Sequence, residues 1–269
     1  MRPQPAARRP RFTREQIAAT ALEIADRDGF DAVSMRRVAT ELGAGTMTLY
    51  HYVETKDDLL ALMDDAIMAE VVVPEDELPD DDWRAAVATI ARSSHEAFIR
   101  HRWALEGLRG QPFGPNGMRH FEQSLRAAEL TGLPPQERMT LLATVDDYVF
   151  GFVLRQLGDT PERVTDEGDS DAAAVFDYLN RQIDSGEFPA MARLLGDGDL
   201  DSRMRRWEEM SANWSARFEH GLQLLLDGIA LELERRGLPG DAGRASARRG
   251  RADAHSTRSG ARRGRASKR

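Results

Sequence analysis

The chain has 269 residues, of which 41% are hydrophobic and 30% charged, so it is long enough to bury a sizeable core in water. Because it contains no cysteine, disulfides, thiolate metal sites, iron–sulfur clusters and cysteine nucleophiles are all excluded. No apolar run reaches the roughly 20 residues that a membrane helix needs. The N-terminus also lacks the apolar stretch of a secretory signal, so we expect a cytoplasmic protein.

The net charge of −8 conceals a separation of charge along the chain. Residues 1–14 carry five arginines and no acidic residue, and residues 238–269 carry nine arginines and one lysine against two aspartates. Basic ends of this kind commonly contact polyanions, although they also serve simply to keep a chain in solution. Because the C-terminal segment offers almost no side chain to bury, we predict a basic N-terminal arm at 1–12 and a basic disordered tail at 238–269.

Helical periodicity dominates the sequence and strand alternation is nearly absent, which predicts an all-α fold. The first helix begins at Thr13, where Gln16 three residues later completes a capping-box pattern. Ser34 is the predicted cap of the second helix, and Gly43 ends it. The four helices predicted in this part of the chain lie at 13–28, 34–42, 46–53 and 55–70.

Longer helices are predicted after the acidic linker PEDELPDDD. Trp83, Val87, Ile90, Ser94 and Phe98 recur at three- and four-residue intervals, which is the spacing of one helical face. Acidic and turn residues at 158–170 predict a loop. The remaining predicted helices lie at 116–131, 135–157, 171–184, 188–195 and 201–236, the last being one long helix.

The segment SMRRVATELGAGTMTLYHYVETK, residues 34–56, carries the most specific chemistry. Two short helices joined through a glycine-containing turn are typical of a helix-turn-helix, whose second helix enters the major groove of DNA. Six of seven residues in that second helix are suited to phosphates and base edges, namely Thr46, Met47, Thr48, Tyr50, His51 and Tyr52. The alternative is a small helical subdomain whose tyrosines and histidine pack internally.

The run from Thr13 to Leu60, above all LGAGTMTLYHYVETKDDLL, resembles the N-terminal domain of TetR-family transcriptional regulators over about 48 residues. The resemblance implies a three-helix DNA-binding domain at 13–60 and a larger helical ligand-binding and dimerisation domain at 61–237. It also implies a repressor that a small molecule releases from its operator. Arg36, Thr46, Met47 and Thr48 would face bases, and Tyr50, Tyr52 and Lys56 would hold phosphates. The full predicted DNA-contact set is Ser34, Arg36, Arg37, Thr46, Met47, Thr48, Tyr50, His51, Tyr52 and Lys56.

The rest of the chain resembles, more loosely, the C-terminal domain of the tetracycline-repressor branch. Trp207, Trp214, Gly221 and Gly228 recur every seven residues and would lie along one stripe of the last helix. Glycines on such a stripe let another helix approach closely. We therefore predict a homodimer interface that pairs this helix with the 135–157 helix in a four-helix arrangement, the alternative being packing within one chain. The predicted interface residues are Trp207, Trp214, Phe218, Gly221, Leu225 and Gly228.

A pocket for a small-molecule effector is implied by the same resemblance. Its candidate lining residues are aromatic or apolar side chains with a few polar groups, and they are His95, Phe98, Trp103, Phe113, Met118, Phe121, Tyr148, Phe152 and Phe176. Asp146 and Asp147 interrupt an otherwise apolar helix. Those two carboxylates would either anchor a cationic ligand or pair with an arginine.

Signatures of common enzymes are missing from the sequence. HExxH, GxSxG, GxGxxG and the phosphate-binding loop are all absent, and the six histidines are scattered. We therefore expect no enzymatic activity, no metal and no cofactor. The predicted function is a homodimeric transcriptional repressor of operator DNA, in which the fourth helix links the effector pocket to the DNA-binding helices. The competing prediction is a helical interaction protein whose basic ends bind nucleic acid without sequence preference.

Overall fold

Helices are the regular elements throughout residues 12–107, 114–158 and 177–239, the parts of the chain that the computed structural model describes. This confirms the all-α prediction. None of the helices in these parts combines the length and hydropathy needed to cross a membrane. In chain order the elements are α1 (Arg14–Asp28), a 3-10 turn (Phe30–Ala32), α2 (Met35–Glu41), α3 (Thr46–Leu49), α4 (Lys56–Val71), α5 (Trp83–Arg100), α6 (Ala104–Gly107), α7 (Pro115–Glu129), α8 (Pro135–Gly158), α9 (177–184), α10 (Pro189–Leu195), α11 (Leu200–Ser211) and α12 (Trp214–Arg235).

Side-chain caps determine where the N-terminal helices begin. Thr13 Oγ1 accepts a hydrogen bond from the backbone of Gln16 at 3.2 Å, and the Gln16 side chain accepts one from the backbone of Thr13 at 2.9 Å. Thr55 and Asp58 form the same reciprocal pair at the start of α4, and Ser34 caps α2. Each cap provides a partner for a backbone N–H that the helix itself leaves unsatisfied. The predicted starts of α1, α2 and α4 are confirmed.

Helix α4 lies at the centre of the N-terminal half of the protein. Leu59, Met63, Ile67 and Val71 follow one another at intervals of four residues and are almost completely buried. The helix packs against α1, α5 and α7. Helix α4 is therefore in direct contact with α1 of the N-terminal helices and with α5 and α7.

The prediction of one long helix over 201–236 is wrong, because the chain breaks between α11 and α12. Asn213 starts a new helix there, and its side-chain oxygen accepts a hydrogen bond from the backbone of Ala216 at 3.0 Å. Trp207 and Trp214 consequently lie on different helices. Their seven-residue spacing does not form a stripe on one helix. Helix α3 is also shorter than predicted, since it ends at Leu49 and continues as turns.

The chain divides into two compact units, one within Met1–Phe150 and Leu225–Arg269 and the other at Gly151–Leu224. Helices α1–α4 belong to the same unit as α5–α7, so the predicted boundary near residue 60 does not separate these two units. The predicted domain limits remain predictions. Most of the predicted arm at 1–12, the loop at 158–170 and the tail at 238–269 lie outside the described residues.

Candidate functional site

A tight turn orients α2 and α3 relative to each other. Gly43 adopts a φ of +62°, a left-handed conformation that glycine tolerates, and its N–H donates to Thr40 O at 3.0 Å. Val38 of α2 and Leu49 of α3 are buried on the inner side of this pair. With its apolar residue directed inward, the short helix α3 presents its other side chains to solvent.

Helix α3 and the turn after it form a polar and aromatic surface. Met47 is 75% exposed, an unusual value for a large apolar side chain. Tyr50 and His51 are exposed as well, while Thr46 and Thr48 are half-buried. All five residues are predicted DNA contacts, and in the structure they lie next to one another at the surface.

Three further predicted DNA contacts lie on neighbouring segments of the chain, in α2's cap, in the turn after α3 and at the start of α4. The Tyr52 ring packs edge-on against Phe12 at 6.4 Å, and its carbonyl accepts a hydrogen bond from Arg14 Nε at 3.2 Å. Lys56 is exposed at the first position of α4. Ser34 uses its hydroxyl to cap α2, so its predicted contact with DNA stays a prediction.

The two arginines of α2 have different surroundings. Arg37 Nη2 lies 2.8 Å from Asp28 and 3.4 Å from Glu41, and Arg27 bridges the same two carboxylates. Hydrogen bonds from Arg27 hold the pKa of both carboxyls below its usual range. Arg36 is exposed. Arg37 is thus occupied by an ion-pair network, which makes Arg36 the stronger candidate for base contact.

A narrow cleft lies between α5, α7 and α8. Its interior volume is about 10 Å³, which is room for about one water molecule. Most of its walls are small or apolar, with Ser94, Ser124 and Asp146 as the polar groups. The lining residues are Val87, Ile90, Ala91, Ser94, Ser124, Leu142, Val145 and Asp146. In this arrangement the interior of the cleft has no room for a molecule much larger than water.

The aromatic residues predicted for the effector pocket are placed elsewhere. Phe98 is buried and packs edge-on against Phe150 at 5.3 Å. Trp103 stacks on Phe30 at 5.3 Å and donates its indole N–H to Asp26.

The other predicted pocket residues are similarly dispersed. Met118 is exposed, His95, Phe121 and Tyr148 are half-buried, and Phe152 packs against Phe218 at 5.3 Å. Phe113 and Phe176 lie outside the described residues. None of the predicted pocket residues in the described ranges is among those that line the cleft.

Two titratable groups lie on the helices that form the cleft. Loss of water around the carboxyl, followed by repulsion from Asp147, raises the pKa of Asp146 to about 6, although the residue as a whole is exposed. No ion pair of Asp146 is found among the described residues. Burial lowers the pKa of His120, whose Nδ1 has no hydrogen-bond partner within the described ranges. No group of His, Asp or Glu side chains in the same ranges is arranged to hold a metal ion.

Asp65 of α4 connects the cleft helices to the N-terminal helices. Its carboxylate accepts hydrogen bonds from the backbone N–H of Asn116 at 2.7 Å and from the Asn116 side chain at 3.0 Å. The contact depends on Gly114, where a Cβ would collide with the Asp65 carboxylate. The first turn of α7 is therefore attached directly to α4 through charge-assisted hydrogen bonds.

The residues predicted for a dimer interface fall into two groups. Phe218 is only 4% exposed, and Trp214 packs edge-on against Phe152 while Arg217 lies over its ring. Trp207 lines a cleft formed by α9, α10 and α11. Gly228, in contrast, is exposed, and Gly221 and Leu225 are half-buried. Leu224 and Leu231, which are not among the predicted interface residues, are exposed on the same helix, at 59% and 49%.

Two family models together match most of the chain. The model described as "Bacterial regulatory proteins, tetR family" matches residues 17–63. The model described as "Tetracyclin repressor-like, C-terminal domain" matches residues 74–233. The HTH-type transcriptional repressor DrrR1 from Streptomyces coeruleorubidus is 35% identical over 236 residues, which cover 85% of this chain and 82% of that repressor.

Solved structures of ActR from Streptomyces coelicolor are similar to this chain at 28% sequence identity. Apo ActR has a TM-score of 0.61, with 86% of this chain and 100% of ActR covered. ActR in complex with actinorhodin has a TM-score of 0.57, with 82% of this chain and 96% of that one covered.

Proposed function

Because this chain belongs to the TetR family of ligand-regulated, DNA-binding repressors, we propose that α3 contacts the operator and that the cleft between α5, α7 and α8 receives the effector. The observation that supports the first assignment is the exposed surface of α3. A methionine that is 75% exposed gains nothing from the protein core, whereas a thymine methyl in the major groove offers it an apolar contact.

The contacts with DNA divide into two classes. Arg36, Thr46, Met47 and Thr48 face base edges and supply sequence preference. Tyr50, His51, Tyr52 and Lys56 contact phosphates and fix the register, as hydroxyls and cations commonly do. Since the DNA lies in the cytoplasm of a bacterium, the repressor acts there.

A second copy of the chain completes the DNA-binding form. Exposed apolar side chains occur on two long helices, Leu224 and Leu231 on α12 and Met139 on α8, and Gly228 of α12 is exposed as well. Nothing lies within 4 Å of a Cβ built on Gly228, so another helix has room to approach there. A homodimer through these two helices places two recognition helices about one turn of DNA apart, roughly 34 Å, on a palindromic operator.

The closed cleft corresponds to the operator-binding state. An effector larger than one water molecule has to separate α5, α7 and α8, and α4 packs against both α5 and α7. Opening therefore displaces α4 and changes the spacing of the two recognition helices. The effector lowers DNA affinity by as much as it prefers the open state, typically about 1 to 3 kcal/mol.

The cleft lining defines the chemistry of the effector. Apolar walls with two serine hydroxyls and one carboxylate suit a largely apolar molecule that carries a hydroxyl or amine. ActR was solved with actinorhodin and with (S)-DNPA, so these two compounds are the first to test.

The function is tested by a salt titration of binding to the duplex flanking the chain's own gene, against a shuffled duplex. We expect strong preference for the flanking duplex. Arg36→Ala should weaken that complex by about 1 to 3 kcal/mol and relax the preference, and Tyr50→Phe should weaken both complexes alike. A chain ending at Pro239 isolates the contribution of the basic tail to the salt dependence. Equal, steeply salt-dependent binding to both duplexes would contradict the proposal and favour a non-specific nucleic-acid-binding protein.

A further inference from the structure

His101 follows α5 and is almost completely buried, with 3% of its surface exposed. Its two ring nitrogens face carboxylates on two different helices. Nδ1 lies 2.9 Å from Asp26 Oδ1 of α1, and Nε2 lies 3.2 Å from Glu70 Oε1 of α4. We call these three residues the histidine clamp, because they join α1, α4 and the end of α5.

The number of links that His101 makes depends on how many of its ring nitrogens carry a proton. A neutral imidazole has one N–H donor and one acceptor nitrogen, while a carboxylate only accepts. A neutral His101 would therefore donate to one carboxylate and direct a lone pair at the other. The imidazolium form donates to both. A carboxylate oxygen lies near each ring nitrogen, so the imidazolium form would have an acceptor for each of its two N–H groups.

The groups around the clamp complete its hydrogen bonds. The Trp103 indole N–H donates to Asp26 Oδ1 at 2.8 Å, and the Arg100 guanidinium pairs with Glu70. The charged groups that face His101 are thus Asp26 on α1, Glu70 on α4 and, through Glu70, Arg100 on α5. If His101 is an imidazolium, it and Arg100 together balance the charges of Asp26 and Glu70, in a site that is partly closed to water.

We propose that His101 is a positioning residue whose proton determines how firmly the DNA-binding helices are attached to the effector-binding helices, so that operator affinity depends on pH. The inference rests on the proposed function, since it concerns regulation of the same operator site. Histidine changes charge in the neutral pH range. Loss of the proton from His101 removes one of its two links and loosens α1 or α4 from α5. The clamp is intact while the effector cleft is closed, so it stabilises the operator-binding state and its release lowers DNA affinity.

The first test compares the wild-type chain with His101→Gln, which is uncharged at every pH. Fluorescence anisotropy on the duplex flanking the chain's own gene gives both dissociation constants at constant salt from about pH 6 to about pH 8.5. We expect the variant to bind about five- to tenfold more weakly at the acidic end, and the ratio to approach one at the alkaline end. His51 on the proposed DNA surface is present in both proteins, so any contribution it makes cancels in the ratio. A ratio that stays constant with pH would overturn the proposal.

Glu70→Gln provides a second variant that keeps the site filled. The glutamine amide can donate to Nε2 or accept from it, so either charge state of His101 keeps both links. We expect this variant to lose the part of the pH dependence that His101→Gln also loses. Glu75→Gln is the matched control, because Glu75 pairs with Arg126 of α7 at the exposed surface and should leave the wild-type pH dependence intact. Wild-type pH dependence in Glu70→Gln would contradict the clamp.

Different results would contradict the proposed function and the histidine clamp. A wild-type chain without preference for the flanking duplex at any pH would contradict the proposed function. Retained preference together with a flat ratio for His101→Gln would contradict the clamp alone. Thermal unfolding of each variant at both ends of the pH range checks that the compared chains are folded.

Discussion

The proposed histidine clamp and the cleft proposed for the effector both involve α5, yet they are built from opposite kinds of interaction. At the end of the helix, His101 is held by carboxylates through charge-assisted hydrogen bonds. Along its middle, Val87, Ile90 and Ala91 make mostly apolar contacts in the cleft. Apolar contacts are non-directional and can re-form around a ligand, whereas hydrogen bonds weaken steeply as their geometry changes. If α5 moves gradually to open the cleft, we expect the hydrogen bonds of His101 to break rather than to stretch.

The largest effect is expected from a substitution that removes the support shared by both regions. Met63→Ala in α4 deletes a side chain with no exposed surface and should lower the free energy of unfolding by about 2 to 5 kcal/mol. Denaturant unfolding at fixed protein concentration measures this loss. Met47→Ala is the matched control, since Met47 is mostly exposed and should leave stability almost unchanged. Equal stability of the two variants would show that the buried side chain of Met63 contributes little to the stability of the fold.

An intermediate effect is expected from filling the cleft while leaving the clamp alone. Ala91→Met adds volume where there is room for about one water molecule, and such overpacking typically costs about 1 to 3 kcal/mol. The variant should still bind the operator but respond less to the effector, as measured by release of the flanking duplex on addition of actinorhodin or another inducing compound. Glu96→Met, at an exposed position of the same helix, should respond like the wild type. An undiminished response in Ala91→Met would place the effector elsewhere.

The smallest effect concerns two carboxyls, one in the cleft and one on α4 outside the clamp, whose pKa is raised to about 6. Burial and a neighbouring aspartate are the causes at both Asp146 in the cleft and Asp64 on α4. Because the folded chain keeps these protons to a higher pH than the ordinary value of 3.8, stability falls as pH rises from about 4 to about 6 and is then constant.

Replacing either aspartate by asparagine removes that loss. Each variant should unfold about 2 °C or less above the wild type at pH 7, with no gain near pH 4. Calorimetry at the two pH values measures the difference. Only Asp146→Asn should also change effector binding, because Asp64 does not line the cleft. A change of effector binding in Asp64→Asn would show that the effector also depends on residues outside the cleft.

The N-terminal helices were predictable because their signals are local. The caps at Thr13, Ser34 and Thr55 act on backbone groups within three residues, and the turn at Gly43 needs a left-handed conformation. The same local chemistry explains the error at α12. Asn213 caps a new helix, but the seven-residue spacing of Trp207 and Trp214 on either side suggested an unbroken one.

The cleft between α5, α7 and α8 was hard to predict for a different reason. Aromatic residues are common in ligand pockets, and they guided the prediction. In the closed state, however, large rings such as Phe98 and Trp103 pack against other rings. Small residues remain at the cleft. A signal was present in the helical face of α5, where Ser94 follows Val87 and Ile90 among otherwise apolar positions.

The sequence by itself determined the all-α fold, the helix-turn-helix and the resemblance to TetR regulators, because caps, periodicity and turn residues act between neighbours in the chain. Only the tertiary structure decided which distant polar groups meet. His101 is 75 residues from Asp26 and 31 from Glu70, and Asp65 is 51 from Asn116. Pairings over such distances depend on how whole helices pack, and no spacing pattern in the chain records that packing.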